Sequence, residues 1–131
     1  MADLIDNINK VKVFHETFNI SYHNEPTANL SEQEYMLRYI LMKEENEEYL
    51  DACKRGDLTE IADALGDKMY ILFGTIIKHG LHHKIEEVFE EIQRSNMSKL
   101  DENGKPIYRE DGKILKSQLY FKPNIKAILE K

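Results

Sequence analysis

The stretch Lys43–Tyr70, KEENEEYLDACKRGDLTEIADALGDKMY, predicts how this chain folds. It places one acidic cluster on each of two predicted helices, and a short polar turn around Gly56 joins the helices. At about 100° per residue, Glu44 and Glu48 continue the line that Leu37 begins on the first of these helices. Because such a line faces a core, we expect these carboxylates to point towards the interior.

The second acidic cluster consists of Glu60, Asp63 and Asp67, which fall within a sector of about 60° on the following helix. We expect the opposite stripe, which includes Leu65 and Leu72, to be packed. A buried carboxylate is costly unless it is paired or bound to metal. Two helices packed antiparallel across the turn would bring the acidic sectors together, and such hard oxygen ligands suit Mg²⁺ or Mn²⁺. The sequence therefore predicts a metal site, with a merely solvated acidic face as the alternative.

Composition limits the class of protein. The 131 residues suffice for a single domain, and the sequence contains no apolar run long enough to predict a membrane span or a signal peptide. One cysteine, Cys53, allows neither an internal disulfide nor a cysteine-based zinc cluster, so we expect a reducing, cytoplasmic location. The net charge of −6 argues against non-specific binding to nucleic acid.

Charge is unevenly distributed along the chain. Residues 1–93 carry 19 acidic and 9 basic side chains, whereas residues 94–131 carry 5 acidic and 9 basic ones. A polyanion bridged by metal ions would need both parts, because carboxylates hold the cations and lysine or arginine binds the remaining phosphate oxygens.

The pattern along the chain predicts an all-α, four-helix-type bundle with a small C-terminal β-hairpin arm. Helices are expected over residues 2–18, from Ser31 to about Arg55, after a capping box at Asp57, and over about 81–97. An Asp-Gly turn between β-prone arms predicts the hairpin, and residues 125–130 predict a last helical turn. We expect one domain over 1–131, with a helical core over about 2–99 and a hairpin and tail over 100–131.

The third helix contains MYILFGTII at residues 69–77, which is apolar on nearly every face. Such a helix must be central or must also meet a second subunit, so we expect a homodimer or homotetramer. Gly74 within it predicts a close approach of another group. We interpret His15 and His23 as packing and loop residues. Arg38 is either a phosphate-binding residue or an ordinary surface arginine.

The pattern Glu44-Glu45-x-x-Glu48 followed by Asp63-Ala64-Leu65-Gly66-Asp67-x-x-Tyr70 resembles the MazG-type, all-α nucleoside triphosphate pyrophosphohydrolases. That superfamily includes the dimeric dUTPases and phosphoribosyl-ATP pyrophosphohydrolase. The resemblance implies that Glu45, Glu48 and Asp67 bind metal, and that Glu44 binds a further metal or orients water. One departure is Ala64, which stands where the family has glutamate, so that Asp63, and less securely Glu60, would serve instead.

The same resemblance implies a reaction and a substrate site. Two or three Mg²⁺ or Mn²⁺ ions would assist hydrolysis of a nucleoside triphosphate to the monophosphate and pyrophosphate, with deoxy and non-standard nucleotides among the candidate substrates. Asn96 and Lys99 look like nucleotide-binding residues, and the matched segments add Tyr70 and Arg94 to the expected substrate site, with Arg38 as a further candidate. Genuine phosphoribosyl-ATP hydrolysis and a non-catalytic helical interaction module are the alternatives.

Overall fold

The structure is a computed structural model that describes residues 2–131. Over this range it contains five helices and two strands: α1 (Leu4–Thr17), α2 (Glu32–Arg55), α3 (Leu58–Lys78), α4 (Ile85–Met97), β1 (Ile107–Tyr108), β2 (Ile114–Leu115) and α5 (Ile125–Leu129). The predicted all-α fold with a small C-terminal hairpin is confirmed. Internal contacts define two compact units, one ending at His83 and the other spanning Lys84–Lys131, so α4 groups with the hairpin.

The α2–α3 hairpin follows from its caps. Ser31 and Glu34 form the predicted capping box at the start of α2, with each side chain accepting the other's backbone N–H. Gly56 ends α2 at φ +65°, a left-handed conformation that glycine adopts without strain. The Asp57 side chain caps α3 by accepting the Glu60 N–H at 3.1 Å. The reciprocal bond of the expected second capping box, from the Asp57 N–H to the Glu60 carboxylate, is not formed, because that N–H donates to the Ala52 carbonyl instead.

Helices α2 and α3 pack side by side along what we call the α2–α3 seam, the line of contact on which Ala52 and Ala64 are almost completely buried. The two helices run antiparallel, because partners later in α2 meet partners earlier in α3. Three polar cross-links mark the register, and they join Glu34 to Lys78, Arg38 to Ile71 and Thr75, and Asn46 to Lys68.

Helix α1 packs on α3, and the segment after α1 covers the end of α3. Ile8, Val11 and His15 are the buried residues of α1. In the following loop, His23 and Thr27 donate backbone N–H groups to the carbonyls of residues 77 and 79 at 3.3 and 2.9 Å. The loop therefore satisfies carbonyls that the C-terminus of α3 leaves without intrahelical partners. These positions agree with the packing role predicted for His15 and the loop role predicted for His23.

The stripe of α3 that we expected to be packed is exposed within this chain. Leu65 is 48% exposed and Leu72 is 43% exposed. The helix instead buries Ala64 on the α2–α3 seam, together with Phe73 and Ile77. Within one chain, α3 packs against both α1 and α2 and leaves this leucine stripe uncovered. The prediction that the helix also meets a second subunit therefore stays a prediction.

In the second unit, serine side chains link the end of α4 to the segment that follows the hairpin. Ser95 donates to the Phe121 carbonyl at 2.8 Å, and Ser98 accepts the Phe121 N–H at 3.1 Å.

Helix α4 begins at Ile85, later than the predicted residue 81, because Gly80 at φ +67° directs the chain into a turn first. In the hairpin, Ile107 pairs with Leu115 and Tyr108 pairs with Ile114. No helix within residues 2–131 combines the length and apolar character needed to cross a membrane.

Candidate active site

Three carboxylates meet across the α2–α3 seam. Glu45 and Glu48 lie one turn apart on α2, and Asp67 comes from α3. One carboxylate oxygen of each residue lies within 4.8 Å of those of the other two, and we call this group the carboxylate cluster. The side chain of Glu45 is half-buried, whereas Glu48 and Asp67 are exposed. The cluster is therefore open to solvent on one side and closed at Glu45.

Glu45 has the most unusual environment in the cluster. Its Oε2 is buried and has no hydrogen-bond partner among the described residues. Burial, a hydrogen bond with Glu48 and the charges of Glu48, Asp67 and Asp63 together raise the pKa of Glu45 to about 7. An acceptor that is buried without a donor is costly. A cation between these carboxylates would offset both the repulsion and the missing bond.

The donor set fits a hard divalent cation. All three side chains offer oxygen, which Mg²⁺ and Mn²⁺ prefer, and three protein ligands leave coordination positions for water and phosphate. The residues that would hold such an ion are Glu45, Glu48 and Asp67. Asp63 stands close enough to raise the pKa of Glu45, so it contributes negative charge at the rim.

The remaining predicted acidic residues lie outside the cluster. Glu44 and Glu60 are exposed, and neither belongs to the group that the structure brings together within residues 2–131. The expectation that Glu44 and Glu48 point inward was wrong, because both side chains are exposed, although Glu48 contributes an oxygen to the cluster. The inward-facing line of α2 contains buried Arg38, half-buried Glu45 and buried Ala52, at intervals of seven residues, rather than the line of Leu37. The seven-residue spacing is visible in the sequence. It does not predict a buried face, however, because two of the three residues are charged and helix faces are predicted from apolar residues.

Arg38 is buried, with 8% of its surface exposed. Its Nε donates to the Thr75 hydroxyl at 3.1 Å, and its Nη2 donates to the Ile71 carbonyl at 2.9 Å. Arg38 is therefore not an ordinary surface arginine, and its guanidinium is engaged by α3. The close approach predicted at Gly74 is also present, because a Cβ there would lie 2.6 Å from Arg38 Nη2.

Tyr70 follows Asp67 by three residues, about one helical turn, and is 43% exposed. Its ring packs edge-on against Phe14 at 5.5 Å between centroids. This places a partly exposed aromatic ring on the same helix as the Asp67 carboxylate, where it remains a candidate substrate-binding residue.

The other three candidate substrate-binding residues belong to the second unit. Arg94 donates to both carboxylate oxygens of Glu91, at 2.8 and 3.1 Å, and lies over the ring of Phe121. The guanidinium of Arg94 is therefore already paired with a carboxylate through two hydrogen bonds. Asn96 is exposed and Lys99 is half-buried at the end of α4 and just beyond it, so their donors remain available. Their role in binding stays a prediction.

Comparison with known proteins places the chain among the nucleotide pyrophosphohydrolases. The model of the family described as phosphoribosyl-ATP pyrophosphohydrolase matches residues 11–96, and the chain belongs to that family. No match is found among curated protein sequences. A crystal structure of a candidate NTP pyrophosphohydrolase from Exiguobacterium sp. 255-15 has 24% sequence identity and a TM-score of 0.53. That match covers 95% of this chain and 94% of the other, and it supports the fold.

Proposed function

We propose that this protein is a metal-dependent enzyme that hydrolyses a nucleoside triphosphate to the nucleoside monophosphate and pyrophosphate. Family membership supports pyrophosphohydrolase chemistry. The observation that carries the metal-dependent step is the carboxylate cluster, in which a buried oxygen of Glu45 lacks a donor while three acidic side chains converge. A bound cation would stabilise such a group, because without it the carboxylates repel one another and the buried oxygen stays unsatisfied.

In this proposal the chain's own residues have distinct tasks. Glu45, Glu48 and Asp67 would hold two or three Mg²⁺ or Mn²⁺ ions, with Asp63 at the rim. When bound, such ions supply charge neutralisation of the triphosphate and activation of water. Exposed Glu44, beside Glu45 on α2, would orient the attacking water or accept its proton.

The proposed substrate contacts come from residues that offer donors or a ring. Tyr70 presents an aromatic surface on α3, and Asn96 and Lys99 offer amide and ammonium groups after α4. Arg94 would contribute only by exchanging its bond with Glu91 for one with a phosphate. Arg38 is omitted from this set, because its guanidinium is buried and engaged by α3.

We further propose that the protein is a cytoplasmic homodimer or homotetramer that associates through α2 and α3. These helices expose a broad set of large apolar side chains, namely Tyr35, Met36, Leu37, Tyr39, Ile40, Leu65, Met69 and Leu72. An exposed apolar surface of this kind is typical of an interface between subunits. A free, exposed Cys53 is compatible with a reducing compartment.

The test is pyrophosphate release from a panel of ribo-, deoxyribo- and modified nucleoside triphosphates, with Mg²⁺, with Mn²⁺ and with a chelator. Glu48→Ala and Asp67→Ala should abolish release while the circular dichroism spectrum stays helical. Glu47→Ala is the matched control, because Glu47 is exposed on the same helix and lies outside the cluster. Full activity in both cluster variants would refute the proposed site.

Phosphoribosyl-ATP is the second candidate substrate, and the family match favours including it. It should be assayed under the same conditions. Release from phosphoribosyl-ATP alone would select this alternative. Absence of release from every substrate, together with no thermal stabilisation by Mn²⁺, would instead indicate a non-catalytic helical module.

A further inference from the structure

We propose that Arg38 is a positioning residue, which holds α2 and α3 in the register that brings Glu45 and Glu48 to Asp67. The proposal rests on the proposed function in one respect, namely that the carboxylate cluster binds a metal ion. It assigns Arg38 to the seam rather than to a phosphate. Three features support this role: the bonds of Arg38, its place on the seam, and the space at Gly74.

Arg38 is buried without a carboxylate partner. None of the ion pairs found within residues 2–131 includes it, although only 8% of its surface is exposed. Burial lowers the pKa of its guanidinium. A buried charge needs hydrogen bonds with good geometry, and Arg38 obtains them from Thr75 and the Ile71 carbonyl on α3. Sliding α3 along α2 would break both bonds and leave the charge unsatisfied.

The place of Arg38 on the seam connects it to the carboxylate cluster. On α2, Arg38 precedes Glu45 by seven residues, which is about two turns on the same face. On α3, Ile71 follows Asp67 by four residues, about one turn. The bond of Arg38 to Ile71 therefore lies one to two turns from the carboxylate cluster along the α2–α3 seam.

The other two cross-links along the seam differ from the Arg38 contact in exposure or in position. Lys68 donates to Asn46 at the surface, and an exposed polar pair of this kind typically contributes little to stability. Lys78 is as buried as Arg38, but its carboxylate partner Glu34 is 36% exposed and lies farther along α2 from the carboxylate cluster. Arg38 is thus the buried cross-link nearer to the carboxylate cluster and the one best placed to fix the register there.

Gly74 confines the guanidinium. A Cβ at this position would lie 2.6 Å from Arg38 Nη2 and 2.9 Å from Nε2 of His15 on α1. His15 is itself only 2% exposed, so it closes the far side of this space. The guanidinium therefore lies against a residue without a side chain, and a methyl group added there would force the guanidinium to shift.

The test uses Mn²⁺ alone, with free Mn²⁺ followed by its electron paramagnetic resonance signal. Arg38→Lys keeps the positive charge but loses the planar guanidinium group, and Gly74→Ala displaces that group. Each variant should bind Mn²⁺ about tenfold more weakly than the wild type, as is typical when groups that orient metal ligands are removed. The double variant should be no weaker than the weaker single variant, because both changes break the same contact.

Glu34→Gln is the matched control. It removes the ion pair with Lys78 at the far end of the same two helices, so it should lower the midpoint of urea unfolding and leave Mn²⁺ affinity unchanged. Wild-type Mn²⁺ affinity in both Arg38→Lys and Gly74→Ala would overturn the proposal. A folding failure of one variant leaves the other to decide.

A metal-independent measurement separates this proposal from the proposed function. In a Cys53→Ser background, Glu48→Cys and Asp67→Cys should react together with a short bifunctional thiol reagent. Adding Arg38→Lys should slow this cross-linking several-fold, and an unchanged rate would refute the positioning role. Absence of Mn²⁺ binding by the wild type, with slower cross-linking in Arg38→Lys, would refute the metal site while supporting the register role.

Discussion

Glu45 illustrates how a single residue can be poorly accommodated in the fold and still belong to a candidate metal site. Its buried oxygen lacks a donor, and its neighbours Glu48, Asp67 and Asp63 are all acidic. Nothing in the residue type distinguishes Glu45 from Glu44 or Glu47 beside it. The sequence predicted the cluster because two acidic groups lie on consecutive helices, but the phase of α2 decides which carboxylate turns inward.

Replacing Glu45 by glutamine should separate these two effects. Glu45→Gln removes one negative charge and adds donors, so the metal-free protein should melt at a higher temperature than the wild type. The increase in melting temperature that Mn²⁺ gives the wild type should be lost or strongly reduced. Differential scanning fluorimetry with Mn²⁺ or chelator measures both quantities, with Glu47→Gln as the control. A variant that keeps the full Mn²⁺ shift would contradict a ligand role for Glu45.

The Glu34 carboxylate should make the stability of the fold depend on pH in the acid range. Hydrogen bonds from Lys78, from the Ser31 backbone and from the Ser31 hydroxyl lower the pKa of Glu34 to about 2. The pKa is lower in the folded state than in the unfolded state, so the stabilisation is complete above the ordinary pKa near 4.5 and is lost as the pH falls towards 2.

The difference in stability between the wild type and Glu34→Gln should therefore be constant near neutral pH and should shrink between about pH 4.5 and 2. Urea unfolding at a series of pH values measures it. Glu32→Gln, in the same first turn of α2, is the control and should show a much smaller difference. A gap that stays constant down to pH 2 would contradict the role of the Lys78 ion pair.

At the scale of elements, local signals predicted helix ends well and helix faces poorly. Ser31, Gly56 and Asp57 act as caps through their own chemistry, so the sequence was sufficient for them. The packed face of α3 depends on two neighbouring helices, and no local pattern contains that information. For this reason the exposed positions of Leu65 and Leu72 became evident only from the structure.

Two glycines with similar backbone angles should respond differently to alanine. Gly56 at φ +65° has nothing within 4 Å of an added Cβ, whereas at Gly80, φ +67°, the Cβ would lie 2.1 Å from the Glu25 carbonyl oxygen. Gly56→Ala should cost about 1 to 2 kcal/mol, the penalty for a left-handed residue. Gly80→Ala adds a collision with backbone and should cost clearly more. Equal urea midpoints for the two variants would show that the contact with Glu25 yields easily.

At the scale of the whole molecule, the apolar content of α3 predicted association, and that prediction remains to be tested. The apolar side chains that the structure leaves exposed lie on both α2 and α3. A sequence pattern can show that a helix has more apolar surface than one neighbour can cover. It cannot show which part a second subunit would cover, since that depends on the packing of α1.

Association should depend on the uncovered stripe of α3. Leu72→Lys would place a charge in the proposed interface and should shift the protein towards monomer in light scattering coupled to size-exclusion chromatography. Leu58→Lys is the control, because Leu58 is 77% exposed at the first residue of α3, away from Leu72 along the helix. A monomeric wild type, or an unchanged assembly in Leu72→Lys, would contradict this interface.

The single cysteine, Cys53, provides one natural position at which a spectroscopic probe can be attached. Cys53 is exposed on α2, five residues after Glu48, which corresponds to about 7 to 8 Å along the helix axis. A nitroxide attached there would be the single spin label on each chain and would need no engineered background. Paramagnetic Mn²⁺ in the carboxylate cluster would broaden its spectrum, and label-to-label distances would report how two chains are arranged. A label on this one natural thiol would therefore report both its distance from the carboxylate cluster and its distance from the same label on a second chain.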